Sequence, residues 1–322
     1  MVFRPARAED VDRVIPLLNP DPASALSADR FRMRLRTSEY RAEWTWIAET
    51  VGEESTDALP AAAAIWWGPP GEDRPAALDA LLVTKGLSPD DRVELAAGLL
   101  AAAHRAFAAE GLDKPPEFHV FVPANWHDRP DAMASVEWRR EAARRAGLGV
   151  ELERLRFAWT PSAGIPARTG QLTFKSEAED EVFAELFARV LAGTLDATSR
   201  RQAQSIGPVA QARADVGFYR DRMLGARSWW RIAQAPTGEV AGFGVPSRNT
   251  EYPVVGYLGV LPEHRGHGYV EEILAEITRI LVTEANATII HADTDLENKP
   301  MAAAFERAGY KVVGRRLVLS PP

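Results

Sequence analysis

The stretch that most constrains the fold runs from Val254 to Val270, VVGYLGVLPEHRGHGYV. Val254 to Val260 is apolar throughout and reads as a buried strand. Leu261-Pro262-Glu263 breaks it, and the turn His264-Arg265-Gly266-His267-Gly268 follows. Val270, Ile273, Leu274, Ile277 and Leu281 then recur on one helical stripe, so a helix opens directly on the turn. A strand that delivers a glycine turn to a helix N-terminus can hold phosphate. Glycines let backbone N–H groups converge, the helix dipole adds partial positive charge, and Arg265 adds a full charge. The competing reading is a tight strand–helix connection whose glycines serve close packing alone.

The chain's 322 residues suggest roughly two domains of ~150 residues. A net charge of −7 argues against nucleic acid or an anionic membrane as the main partner. The absence of cysteine excludes disulfides, thiolate metal sites and a covalent cysteine mechanism. The N-terminal MVFRPARAEDVDRV has no apolar signal core, and no run approaches the ~18 apolar residues of a membrane span. A cytoplasmic protein is expected.

The two halves repeat one order of elements. Phe3 to Leu18 and Phe174 to Leu191 each pass from a short strand through Glu-Asp into an amphipathic helix. Each is followed by a tryptophan-rich strand, Trp44 to Ala48 and Trp229 to Ala233. A second apolar strand comes next, Ala61 to Gly68 and Val240 to Val245. This order suggests a tandem duplication. The small-residue, proline-containing run Thr160 to Pro166 marks the boundary.

In the first half, the counterpart of the organising strand is Ala77 to Val83, followed by Gly86-Leu87-Ser88-Pro89-Asp90-Asp91. Ser88 suits an N-cap and Pro89 the first helical position, while Asp90 and Asp91 favour the dipole. The glycine pair is missing, and two carboxylates stand where phosphate oxygens would go. In the loop Asn125 to Asp128, the adjacent His127 and Asp128 read as solvated rather than as a catalytic pair. In the second half, helices over 174–191 and 210–223 are joined by a polar stretch, Asp196 to Pro208. Arg200, Tyr219 and Arg222 fall in this region without an assignable direction.

Beyond the glycine turn come the strand Thr288 to Ala292, Asp293-Thr294-Asp295, Asn298, the helix MAAAFERAGY and a last strand, Lys311 to Leu319. With Leu258-Gly259-Val260 and Arg265-Gly266-His267-Gly268-Tyr269-Val270, this order resembles the GNAT superfamily of acyl-CoA-dependent N-acyltransferases. The shared pattern is a strand, Q/R-x-x-G-x-G/A opening a helix, a further strand, an Asn, and a helix with an aromatic before Gly-[Phe/Tyr]. It covers residues 228–318 well, extends to about 170, and over 1–160 is one of element order only.

The resemblance implies a fold and a site. Each half would be a mixed, mostly antiparallel twisted sheet flanked by helices, an α/β (α+β) class. The domains would be 1–160, without a CoA motif, and 171–322, binding acyl-CoA, with 161–170 as linker. Leu258, Gly259 and Val260 would offer backbone groups to the pantetheine arm. Amides from Gly266, His267, Gly268, Tyr269 and Val270 would hold the pyrophosphate, with Arg265 alongside. Asn298 would bond the cofactor arm, and Phe305 would line it. Val270 departs from the usual Gly or Ala. Phe305 replaces the tyrosine that often protonates the leaving thiolate, and phenylalanine cannot donate a proton. Tyr310 and Tyr257 are the nearby hydroxyls. Asp293 is the first choice of general base, with Glu251, Asp295 and His291 in reserve. A solvated strand end or a helix cap is the alternative for Asp293 and Asp295. The expected reaction is direct transfer of acetyl from acetyl-CoA to a small-molecule amine, with no metal, by a monomer or homodimer. The tandem plan also resembles mycothiol synthase. A CoA-binding module without turnover is the competing reading.

Overall fold

The computed structural model describes residues 1–50 and 59–322. In chain order its elements are β1 (Val2–Pro5), α1 (Val11–Val14), α2 (Ala28–Arg36), β2 (Thr45–Glu49), β3 (Ala62–Trp67), β4 (Ala77–Val83), α3 (Pro89–Ala109), β5 (Glu117–Val122), α4 (Pro130–Arg145) and β6 (Val150–Trp159). The order then recurs as β7 (Thr173–Ser176), α5 (Asp180–Leu191), α6 (Ala197–Ile206), α7 (Pro208–Asp221), β8 (Arg231–Gln234), β9 (Val240–Arg248), β10 (Pro253–Val260), α8 (Tyr269–Thr283), β11 (Ile290–Asp295), α9 (Lys299–Arg307) and β12 (Lys311–Ser320).

Two sequence expectations shift. The polar stretch 196–208 contains a helix of its own, α6, capped by Asp196, whose carboxylate accepts from Ser199 N at 2.7 Å. None of its residues is buried, so it carries no apolar period to read. Trp229 lies in a single 3₁₀ turn ahead of β8 rather than in the strand.

The chain divides into two compact units, residues 1–153 with 314–322, and residues 154–313. The division falls ahead of the expected boundary run Thr160 to Pro166 and linker 161–170. The end of β12 belongs to the first unit, where Arg315 to Leu319 pair antiparallel with Val122 to Phe118 of β5. From Arg154 onward β6 belongs to the second unit, where it pairs antiparallel with β11. Strand pairing is non-local, so a contiguous reading of the chain assigns each last strand to the half that precedes it.

The strands of the two units share one pairing pattern. In the first unit β1, β2, β3 and β4 pair antiparallel in sequence, β4 pairs parallel with β5, and β5 pairs antiparallel with β12. In the second, β7 to β10 pair antiparallel in sequence, β10 pairs parallel with β11, and β11 pairs antiparallel with β6. The expected mixed, mostly antiparallel α/β architecture is thus found in both units. In the second unit, Ile273, Leu274, Ile277 and Leu281 of α8 pack on one sheet face with Phe157, Trp159 and Phe305. Phe183, Phe187, Val216 and Phe243 form the core on the α5–α7 side. Glu272 of α8 is buried and takes Thr169 Oγ1 (2.5 Å), Gly170 N (3.0 Å) and Gln171 N (3.1 Å), which pins the linker.

Candidate active site

The second unit opens between its two parallel strands. The β10–β11 ladder is limited to Val254 opposite His291, whereas β11 stays paired with β6 along its whole length. On the other side of β10 the register with β9 shifts between Val255 and Tyr257, leaving a bulge at Gly256. A Cβ at Gly256 would stand 2.7 Å from Val245 O and 2.9 Å from Tyr219 Cε1, so only glycine fits. The Tyr219 hydroxyl donates to the bulge carbonyl, Gly256 O, at 2.6 Å. The parted strands and helices α5–α7 and α9 bound a cavity of ≈ 630 Å³.

The glycine turn stands at the start of α8. Gly266 (φ +83) and Gly268 (φ +76) are left-handed, and a Cβ on either would point into open space. Glycine is therefore required here by backbone conformation, not by packing. Gly268 is the N-cap of α8 and supplies no side-chain acceptor. Among the described residues, the amides from Gly266 to Val270 have no protein acceptor; Glu271 N is the first to bond back, to Gly268 O at 3.1 Å. Convergent, unspent N–H groups at a helix N-terminus form an anion cradle. His267 folds back, its Nδ1 3.2 Å from His264 O and 3.1 Å from Arg265 O, and its ring stacks on Tyr269 at 5.5 Å. Val270 is half-buried.

Arg265 is placed differently from the sequence expectation. Its guanidinium donates to Ala192 O (2.9 Å), Val190 O (3.0 Å), Val260 O (3.3 Å) and Gly193 O (3.4 Å). The last carbonyls of α5 lack intrahelical donors and carry the negative end of the dipole, so they attract the cation. Arg265 clamps the turn to α5 and leaves the cradle to backbone amides.

Leu258 and Asn298 line the cavity, while Gly259 and Val260 continue β10 opposite Phe243 and Gly242. Asn298 caps α9, its Oδ1 accepting from Met301 N at 3.4 Å. Its NH₂ has no protein acceptor among the described residues, and the residue lines the cavity. Phe305 is buried, stacked 5.0 Å from Phe157, and also borders the cavity.

The expected catalytic residues divide. Asp293 lines the cavity, with Arg156 Nε 3.6 Å from its Oδ1. Tyr310 does not line it: it is 2% exposed in the α8 core, its hydroxyl 2.8 Å from Thr278 Oγ1. The aromatic-Gly-Tyr run turns at Gly309 (φ +83), and the strand that follows carries Tyr310 into the core. Glu251 also lies outside the cavity lining, in the β9–β10 loop, where it takes the Tyr252 hydroxyl. Asp295 is a structural group, 2% exposed, accepting from Ala197 N at 2.6 Å with Arg154 at 3.4 Å. Burial raises its pKa, and Arg154 only partly opposes this. His291 packs on Tyr252 (4.4 Å), and burial and Arg156 lower its pKa. His127 meets Glu153 at 3.4 Å rather than Asp128.

Two further ionisable groups line the cavity, Asp215 and the Tyr257 already noted in the sequence. Asp215 of α7 lines the cavity; its Oδ1 accepts from Gln211 Nε2 at 2.8 Å, and its Oδ2 is buried with no partner. Burial pushes its pKa up to about 6 against the Gln211 bond, and the charge of Asp196 adds to the rise. The Tyr257 hydroxyl has no protein partner among the described residues, and the ring stacks on Phe243 at 5.7 Å. Burial holds its pKa well above the usual phenol range, with Asp215 and Asp196 adding to the effect, so it keeps its proton. Sequence reasoning missed Asp215. A signal exists: Gln211, Asp215 and Tyr219 fall at i, i+4 and i+8, beside the buried Ala212 and Val216 on the inward side of α7.

Residues 177–311 match the Acetyltransferase (GNAT) domain family. No curated protein matches the chain. Among solved structures, a GCN5-related N-acetyltransferase from Sphaerobacter thermophilus is similar at 14% identity and TM-score 0.58, covering 98% of this chain and 94% of that one. A tandem GNAT protein from the clavulanic acid biosynthesis pathway is similar at 19% identity and TM-score 0.51, covering 98% and 97%. A GCN5-related glucosamine N-acetyltransferase region of a fungal multi-domain GH3 β-N-acetylglucosaminidase is similar at 13% identity and TM-score 0.56, covering 98% and 38%. At these identities the likeness shows the fold. The domain match spans the parted strands and the glycine turn, so residues 177–311 carry a GNAT acetyltransferase domain, and the chain as a whole shares the fold of GNAT proteins.

Proposed function

We propose that the second unit transfers an acetyl group from acetyl-CoA to a small-molecule amine by direct attack. The carrying observation is the pairing of an unspent amide cradle at Gly266 to Val270 with a cavity that holds a carboxyl of pKa about 6. Those amides would take the pyrophosphate, the edge of β10 from Leu258 to Val260 the pantetheine arm, and Asn298 its amide. The bound thioester supplies an activated acyl carbon. A backbone N–H of β10 aimed at the acyl oxygen stabilises charge that develops there. Asp215 accepts a proton from the incoming ammonium, since a base works best with its pKa near the operating pH. Asp293 is less suited to this task because Arg156 neutralises it. Tyr257, protonated and lining the same cavity, replaces the donor that Phe305 cannot be. The first unit, whose α3 start is closed by Ser88 (Asp91 N to Ser88 Oγ 3.2 Å), is read as a copy without a CoA site.

Phe305 favours a second reading, a CoA-binding module without turnover. One experiment separates the two: thermal stabilisation by CoA, then thiol release from acetyl-CoA with a panel of amines. Stabilisation with amine-dependent release supports transfer, and stabilisation without release for any amine supports the module. No stabilisation at CoA well above micromolar would refute the site.

A further inference from the structure

The first unit has a cavity that none of the preceding chemistry uses. It measures ≈ 130 Å³ and lies at the C-terminal end of β4, where β4 leaves its short parallel ladder with β5 at Ala77–Leu78. Its charged lining comes from the loop after β4 (Lys85), from α3 (Arg92), from α4 (Arg139) and from the loop before α2 (Asp21). Arg139 is 2% exposed and forms a two-point pair with Asp21, Nη2–Oδ2 3.0 Å and Nη1–Oδ1 3.3 Å. Asp21 also takes Ser135 Oγ at 2.6 Å. Both arginines lie over the ring of Trp138, Arg139 at 4.3 Å and Arg92 at 5.8 Å.

The charges do not balance. Three cations face one carboxylate, and among the described residues Lys85 and Arg92 have no ion-pair partner. Burial lowers the Arg139 pKa, Asp21 only partly restores it, and Arg92 lowers it further. Lys85 is exposed at the mouth, whereas Arg92 is half-buried beside the buried Arg139, and a half-buried cation left without an anion is costly. In a chain of net charge −7, a pocket with a local excess of two positive charges is a specific feature rather than a general surface property.

We propose that this pocket of the first unit binds a small dianionic oxyanion, a phosphate monoester, between Lys85, Arg92 and Arg139. Arg92 forms the exchangeable contact, because Arg139 is already held by Asp21. Trp138 lines the pocket beneath both arginines.

The test is titration of the full chain with inorganic phosphate at constant ionic strength, read by calorimetry and by the Trp138 contribution to fluorescence, with Trp138→Phe as the blank. Saturable binding in the sub-millimolar range is expected, weakened at least tenfold by Arg92→Ala and by Lys85→Ala, with circular dichroism unchanged. Acetate and malonate form a second arm: if they bind as tightly as phosphate, the site is a carboxylate site and the phosphate assignment is overturned. Absence of saturable phosphate binding overturns it as well. So does binding that Arg92→Ala leaves intact while the variant remains folded. The site lies in the other unit, so the result does not depend on acetyl transfer.

Discussion

Replacing Asp215 with asparagine should make the protein more stable and less active at once. The pKa of Asp215 is about 6 in the fold against an ordinary 3.8. A carboxyl whose folded pKa is raised binds more protons folded than unfolded over that interval, so stability falls as pH rises from about 4 to about 6 and is level above it. At ~1.4 kcal/mol per tenfold change in proton affinity, the full penalty at pH 8 is ~3 kcal/mol. The residue is half-buried in the wall of a wet cavity, and screening reduces the expected effect to about 1–3 kcal/mol. Asparagine keeps an oxygen for Gln211 Nε2 and removes the charge. Urea unfolding at pH 4 and pH 8 is the assay. The variant should gain little at pH 4 and about 1–3 kcal/mol at pH 8. Under the proposed chemistry, kcat/KM of the variant should fall by roughly 10²–10⁴ at pH 7, and the wild-type profile should rise through about pH 6. A variant equal to or weaker than wild type at pH 8, or a difference that ignores pH, would show that Asp215 is an ordinary hydrated carboxylate.

Three further outcomes are expected. Arg265→Ala removes donors to the last carbonyls of α5 and should cost ~2–3 kcal/mol in urea unfolding, while calorimetry of CoA binding below the transition shows less than a tenfold loss. Complete loss of binding would return the guanidinium to the phosphate. Gly268→Val forces a β-branched residue to φ +76 and should raise the CoA Kd at least tenfold, whereas Asp90→Ala in the first unit leaves it unchanged. Tyr257→Phe should lower kcat about 10²-fold with KM unaltered, while Tyr310→Phe keeps kcat and loses ~1 kcal/mol of stability through Thr278.

The parts of the fold legible in the sequence were those written in local code. The α8 stripe at Ile273, Leu274, Ile277 and Leu281, the Ser88 cap with Pro89, and the glycine turn each act within a few residues, and each stands where its pattern indicates. What could not be read depends on distant partners. The end of β12 pairs with β5, nearly two hundred residues earlier in the chain, and nothing near Arg315 encodes that choice. Arg265 illustrates the same limit in the site. Beside two glycines it reads as a phosphate ligand, yet the carbonyls that hold it belong to Val190, Ala192 and Gly193. Tyr310 and Tyr257 were indistinguishable as hydroxyls. Only side-chain direction along β10 and at the start of β12 sends one to the cavity and the other to Thr278.

The same pairing pattern therefore has different outcomes in the two units, and the reason is what fills the space beside the parallel pair. Each unit has a short parallel ladder, Val254 with His291 in one, Ala77–Leu78 with Glu117–Phe118 in the other. In the second unit the helix after the inner strand presents Asn298, Met301 and Phe305 to the opening, and ≈ 630 Å³ remains. In the first, α4 presents Trp138 and Arg139, the latter tied to Asp21, and ≈ 130 Å³ remains. Removing the glycine pair alone would leave a first unit without a phosphate cradle but with an open cleft. Trp138, Arg139 and Asp21 line the smaller space that remains at the end of β4, so glycines placed near Ser88 would open onto ≈ 130 Å³ rather than ≈ 630 Å³.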